Sequence, residues 1–170
     1  MFLETLFPVL IAAVAMVMDL RTSRVDNGWI VFCICTGLAV QTLSGGIRGF
    51  WGAAWGTMLP LLLLGGLFVF RMLGPGDIKL FCALGCMLGG ISIGKCILVS
   101  LFIGAGISLA ILISVGEFRQ RFHYFAQYLS EYMSGGQKKP YYSKDMTALE
   151  NFHFTVPVFL SVMLYAGGVY

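Results

Sequence analysis

The sequence predicts an all-α membrane protein, a bundle of six transmembrane helices with an amphipathic cytoplasmic segment between helices 5 and 6. Three observations lead to this prediction: a very apolar composition, six apolar segments, and basic residues concentrated in alternate loops. Of the 170 residues, 58% are hydrophobic and only 11% are charged, which argues against a soluble globular domain. We expect one membrane-embedded domain that comprises residues 1–170.

Six apolar segments follow one another along the chain. They are Phe2–Met18, Trp29–Leu43, Phe50–Phe70, Ile78–Ile93, Cys96–Val115 and Phe154–Tyr170. About 20 helical residues cross the hydrocarbon core, so the third and fifth segments suffice, whereas the second and fourth are short. The first segment is interpreted as a retained helix rather than a signal peptide, because Glu4 stands where positive charge is usual.

The basic residues predict how the chain is oriented. If all six segments span, two basic residues, Arg48 and Lys95, fall on one side of the membrane and nine on the other. The nine are Arg21, Arg24, Arg71, Lys79, Arg119, Arg121, Lys138, Lys139 and Lys144. Loops rich in lysine and arginine stay in the cytoplasm, so both termini are expected outside, in a multi-pass protein of the plasma (inner) membrane. The net charge of +3 then reflects topology, and no nucleic-acid partner is expected.

The fifth loop, about residues 116–151, is the one sizeable polar region of the sequence. Apolar residues recur there at helical spacing: Phe118, Phe122, Phe125, Leu129 and Met133. This pattern predicts an amphipathic helix that lies on the cytoplasmic leaflet.

The cysteines and histidines are interpreted as structural residues. Four cysteines form two closely spaced pairs: Cys33, Cys35, Cys82 and Cys86. They lie in apolar runs without nearby histidine or carboxylate partners, so we expect buried thiols and no metal site. His123 and His153 are isolated in the sequence and are interpreted as interfacial or core residues rather than catalytic ones.

Three carboxylates lie at predicted helix ends on the cytoplasmic side: Asp19, Asp26 and Asp77. Each has a structural interpretation, Asp77 as a helix cap, Asp19 as the first residue outside the bilayer, and Asp26 as part of a turn. Asp19 and Asp77, however, share one membrane face, and two helices separate them and can fold them together. Two carboxylates held close cannot both ionise easily, so they share one proton. Such a pair supplies a general base and a general acid, as in aspartic proteases.

Three stretches of the sequence resemble those of one family. G-P-G-D-I-K-L at Gly74–Leu80 resembles the G-x-G-D-x-K-L signature of prepilin peptidases, which are membrane aspartic endopeptidases. D-L-R-T-S-R-V-D-N at Asp19–Asn27 is similar to that family's first catalytic segment, an aspartate followed by R-x-I-P-N. The departure is Asp26, which stands where the family usually has proline. F-H-F-T-V-P-V-F-L at Phe152–Leu160 is similar to the start of the family's last helix.

The resemblance implies roles for seven residues. Asp19 and Asp77 are expected to be catalytic. The expected substrate-binding or supporting residues are Gly74, Gly76, Lys79, Arg24 and Asn27. The two glycines permit unusual backbone angles and close approach of an extended substrate, while Lys79 either tunes Asp77 or anchors to lipid headgroups.

The resemblance also implies the substrate. It is a type IV prepilin or pseudopilin with a short basic leader, a glycine before the cleaved bond and a hydrophobic helix after it, cut at the cytoplasmic face. Larger family members carry an N-terminal insertion with paired CxxC motifs that is associated with methylation. This chain resembles the short, peptidase-only form, so neither zinc nor S-adenosylmethionine is expected.

Two alternative functions use the same features. A proton-coupled small transporter component would use the acids as a proton relay, although it would place them within the spans. A catalytically silent assembly factor of a pilus or secretion machine would keep the fold, and only an activity assay separates it from a peptidase.

Overall fold

The structure is a computed structural model that describes residues 2–69, 73–114 and 153–170. In these ranges the regular elements are helices: α1 (Phe2–Thr22), α2 (Asn27–Val69), α3 (Pro75–Ser114) and α4 (Thr155–Ala166). The all-α prediction is confirmed for this part of the chain. Both α2 and α3 contain a stretch that is long and apolar enough to cross a bilayer, and α4 is shorter and apolar. The predicted amphipathic segment at about 116–151, with His123, lies outside the described residues.

One glycine interrupts each of the two long helices. Gly46 in α2 (φ 59°, ψ −141°) and Gly89 in α3 (φ 76°, ψ 168°) have non-helical backbone angles with positive φ, which glycine adopts at little cost. A Cβ atom on Gly49 would overlap the carbonyl oxygen of Gln41, eight residues earlier. In a continuous helix these residues would be about 12 Å apart, so the chain turns back at Gly46. The second and third apolar segments therefore lie on the two sides of this break.

The break in α3 comes earlier than the sequence predicted. A Cβ atom on Gly85 would lie 3.3 Å from Cγ1 of Ile93, so α3 also turns back, at Gly89 rather than after Ile93. The predicted segment Ile78–Ile93 is wrong at its end. Hydropathy did not mark the turn because apolar residues continue through it, and only the backbone angles of Gly89 locate it.

The first half of α3 is the centre of the core. Its side chains are buried all around the helix, including Leu80, Phe81, Leu84 and Cys86, each 0% exposed. Neighbouring backbones approach closely, because a Cβ atom on either Gly56 or Gly85 would overlap the carbonyl oxygen of the other. Asp77 thus lies at the start of the most buried helical segment.

The cysteine prediction is confirmed in part. Cys33, Cys86 and Cys96 are buried free thiols, and Cys82 is half-buried. Cys35 is exposed, because it lies two residues from Cys33 and therefore about 200° around the same helix.

The last helix is shorter than predicted. α4 ends at Ala166, whereas the sixth apolar segment was expected to continue to Tyr170. Gly168 has φ 74°, and the Gly167 and Gly168 amides donate to carbonyls of the last turn, which ends the helix. Tyr170 then returns to the helix, where its hydroxyl lies 2.7 Å from the carbonyl oxygen of Ser161. Twelve residues rise about 18 Å, less than the hydrocarbon core.

Candidate active site

Asp19 lies in the last turn of α1, which continues past the predicted end at Met18 to Thr22. Ser23 then adopts a left-handed conformation with φ 52°, and its amide donates to the Asp19 carbonyl oxygen at 2.7 Å. The Thr22 hydroxyl donates to the Arg24 carbonyl oxygen at 2.9 Å. This tight exit from the helix keeps the following chain beside Asp19.

The Gly-Pro-Gly-Asp stretch forms the start of α3. Gly74 precedes the helix, and Pro75 is its first residue, where the missing N–H and fixed φ suit a helix start. Asp77 is the third helical residue, and its carboxylate accepts a hydrogen bond from the Gly74 backbone, as in half of a capping box. A Cβ atom on Gly74 would lie 3.1 Å from Oδ2 of Asp77, so glycine leaves room for this contact. The cap predicted from the sequence therefore exists.

The carboxyl group of Asp77 is half-buried at the polar end of α3, just before the apolar run that begins at Ile78. Burial, together with the negative charge of Asp19, raises the pKa of Asp77 to about 6. The hydrogen bond from Gly74 opposes this increase. A carboxyl group with such a pKa can hold or release a proton near neutral pH, which suits acid–base chemistry.

Asp19 and Asp77 line the same cavity, which has a volume of about 340 Å³. The other lining residues are Ser23, Arg24, Val25, Asn27, Gly74, Pro75, Gly76 and Lys79. All seven site residues expected from the sequence are among them. The chain between α1 and α2 and the start of α3 together form the cavity wall.

Lys79 and Asn27 form one side of this cavity. The Lys79 amino group donates to Oδ1 of Asn27 at 2.8 Å, which links the first turn of α2 to that of α3. Both side chains are exposed. The sequence left open whether Lys79 alters the pKa of Asp77 or binds lipid headgroups. The structure adds Asn27 as a third partner of Lys79.

Asp26 is the cap of α2. Its Oδ2 accepts a hydrogen bond from the Trp29 amide at 3.3 Å, and its carbonyl oxygen accepts one from the Ile30 amide. Asp26 is exposed and is not among the residues that line the cavity. The chain thus has a capping side chain at the position where the resembled motif has proline, and the two aspartates that line the cavity are Asp19 and Asp77.

Two residues at the start of α4 contact Asp19, and neither was predicted from the sequence as a site residue. The Thr155 hydroxyl donates to Oδ2 of Asp19 at 2.8 Å. Nδ1 of His153 lies 3.0 Å from the same oxygen. The interpretation of His153 as an interfacial or core residue missed this contact. The available signal was position, because His153 directly precedes the sixth apolar segment and Thr155 is its second residue, on the predicted membrane face that also holds Asp19.

The apolar helices suit a membrane protein, and the two carboxyl groups on one cavity suit acid–base chemistry. The chain matches the model of the type IV leader peptidase family over residues 6–114, and it belongs to that family. It is therefore a peptidase, and the resemblance found in its sequence motifs is confirmed. The match includes Asp19 and Asp77 and ends before His153 and Thr155. None of the curated proteins or solved structures compared with the chain matches it.

Proposed function

We propose that this protein is an aspartic endopeptidase that removes the basic leader peptide from type IV prepilins or pseudopilins. Asp19 and Asp77 are its catalytic pair. The observation that carries the proposal is that both carboxyl groups line one cavity, where burial and Asp19 raise the pKa of Asp77 to about 6. Membership of the leader peptidase family supports a substrate of the prepilin type.

The proposed reaction begins with one proton shared by the pair. The ionised carboxylate takes a proton from water as the water oxygen bonds to the scissile carbonyl carbon, and the other carboxyl group gives its proton to the carbonyl oxygen. In the second step the newly protonated carboxyl group gives its proton to the amide nitrogen. The C–N bond then breaks, the other carboxylate takes a proton from the diol, and the pair returns to its starting state.

The cavity wall also suits an extended peptide. A Cβ atom on Gly76 would meet no atom within 4 Å, so the backbone there is open to a peptide strand. Arg24 is exposed on the same cavity, and its guanidinium group can donate to peptide carbonyl oxygens. Lys79 and Asn27 are supporting residues in this proposal because they join α2 to α3 beside the pair.

We also propose that the chain spans the inner membrane six times and that the cavity faces the cytoplasm. The turns at Gly46 and Gly89 support this topology, because each divides a long helix into two segments. The excess of basic residues in the first, third and fifth loops supports the orientation. Alkaline phosphatase fused after Gly46 should be active and the same enzyme fused after Arg71 inactive; the reverse pattern would refute the orientation.

Coexpression with a candidate prepilin tests the activity. The wild-type protein should shift the precursor to its mature mobility, with a chelator present and without added S-adenosylmethionine. Asp19→Asn and Asp77→Asn should leave the precursor intact while the protein stays in the membrane, whereas Asp26→Asn serves as a matched control and should process it. Full processing by both site variants would end the catalytic assignment, and no processing by the wild type would favour a silent assembly factor.

A further inference from the structure

Residues at the start of α4 contact the carboxylate of Asp19, which lines the candidate active site. Both contacts fall on the same atom, Oδ2 of Asp19, which accepts from Thr155 and lies within hydrogen-bond distance of His153. We propose that Thr155 and His153 are positioning residues that hold Asp19 in its catalytic orientation. This proposal rests on the proposed function.

The first turn of α4 is well placed to hold another side chain. Thr155 is 1% exposed, the helix packs against α1, and Val158 and Val162 on the same helix are fully buried. A helix packed in this way presents its first turn to Asp19 with little freedom.

The side-chain hydrogen bonds of Thr155 and His153 do not cap their own helix. The N-cap residue of α4 is Phe154, whose side chain makes no capping hydrogen bond. Serine and threonine near helix starts commonly satisfy free backbone amides, whereas the Thr155 hydroxyl donates to Asp19 instead. The polar groups at this helix start therefore serve the carboxylate of α1.

The contacts to Oδ2 limit how freely the carboxylate of Asp19 rotates. The terminal torsion of an aspartate is broad, so a carboxylate with no partners rotates freely. Two partners on Oδ2 restrict that rotation, so the carboxylate keeps one orientation in the wall of the cavity. Restricting a reacting group in this way lowers the barrier of the chemical step more than it strengthens substrate binding.

Steady-state kinetics of cleavage of a purified prepilin-type precursor test the proposal, because they separate an effect on kcat from an effect on KM. Thr155→Val keeps the shape and removes the hydroxyl, and His153→Phe keeps a ring and removes the nitrogen. Each should lower kcat on the order of 10- to 100-fold with KM changed less than threefold. Thr155→Ser and His153→Asn return a polar group to the same place and should recover most of kcat. The double variant should lose less than the product of the two single losses, because both residues act through one oxygen.

Ser161→Ala is the matched control, since it removes a buried hydroxyl from the same helix away from Asp19. It should lower the melting temperature and leave kcat within about twofold. If Thr155→Val and His153→Phe both keep the wild-type kcat while Asp19→Asn is inactive, the positioning role is overturned and the proposed function stands. A wild-type protein that cleaves no such precursor would overturn the proposed function and this inference together. If Thr155→Val fails to fold, His153→Phe decides, because that side chain is 23% exposed and tolerates replacement.

Discussion

Asp19 and Asp77 line one cavity, although Asp19 lies in the last turn of α1 and Asp77 in the first turn of α3. The charge of Asp19 is the second cause, after burial, of the raised pKa of Asp77. The charge of Asp19 therefore affects the protonation of Asp77.

The first prediction concerns the pH dependence of cleavage. Because the reacting pair holds one proton and the pKa of Asp77 is about 6, kcat/KM should fall as pH rises through this value. Well above pH 6 the decrease should approach about tenfold per pH unit. The measurement is initial rates from pH 5 to 9, with melting temperatures over the same range to show that the fold persists. A rate that rises from pH 6 to 9 would contradict the shared-proton mechanism.

The second prediction is that Asp77→Asn stabilises the protein. Because the pKa of Asp77 is higher in the folded state than in the unfolded state, the protonated carboxyl group contributes stability at pH values below the unfolded pKa. This contribution is lost as the pH rises through about 6. At pH 7.5 the native protein thus carries a desolvated carboxylate, and its removal should gain up to about 3 kcal/mol. The melting temperature of Asp77→Asn should exceed that of the wild type at pH 7.5 and approach it at pH 4.5.

The control for this stability effect is Asp26→Asn. Asp26 is exposed, and asparagine caps a helix about as well as aspartate, so the replacement should show no gain that depends on pH. Equal gains in both variants would show that burial of Asp77 is not the cause.

The third prediction separates the cap of α2 from catalysis. Asp26→Ala removes the acceptor of the Trp29 amide and should cost about 1 kcal/mol of stability. Its kcat, measured per folded molecule, should stay within about twofold of the wild type, and Asp26→Pro should still support cleavage. Loss of cleavage in a folded Asp26→Ala protein would place Asp26 in the site after all.

The fourth prediction concerns the close approach of two backbones in the core. Gly85→Ala would place a methyl group against the carbonyl oxygen of Gly56, so the helices must move apart at a cost of about 1–3 kcal/mol. Gly65→Ala is the comparison, because a Cβ atom there meets nothing within 4 Å. Thermal unfolding in detergent should show a lower melting temperature only for Gly85→Ala. Equal melting temperatures would mean that this contact is not tight.

Sequence patterns located most of the site because its residues lie in two short stretches. The Gly-Pro-Gly-Asp stretch predicts a helix start with a capping aspartate through local rules on φ angles and free amides, and the structure has that start at Pro75. The same local rules predicted Asp26 in a turn, whereas the structure shows that it caps α2. Hydropathy predicted the helices, but it placed the α3 break after Ile93 and extended the last helix to Tyr170, because apolar side chains continue through both glycine turns.

By itself, the sequence determined that the fold is helical and apolar, which family the chain belongs to, and which two aspartates are the candidates for catalysis. These features depend on composition and on residues close together in the chain. Only the tertiary structure decided which groups meet. It placed both carboxyl groups on one cavity, joined Lys79 to Asn27, and brought His153 and Thr155 to Asp19. The physical reason is that a hydrogen bond between residues more than 130 positions apart requires α4 to pack against α1. That packing depends on the shapes of buried side chains along both helices, which no local pattern records.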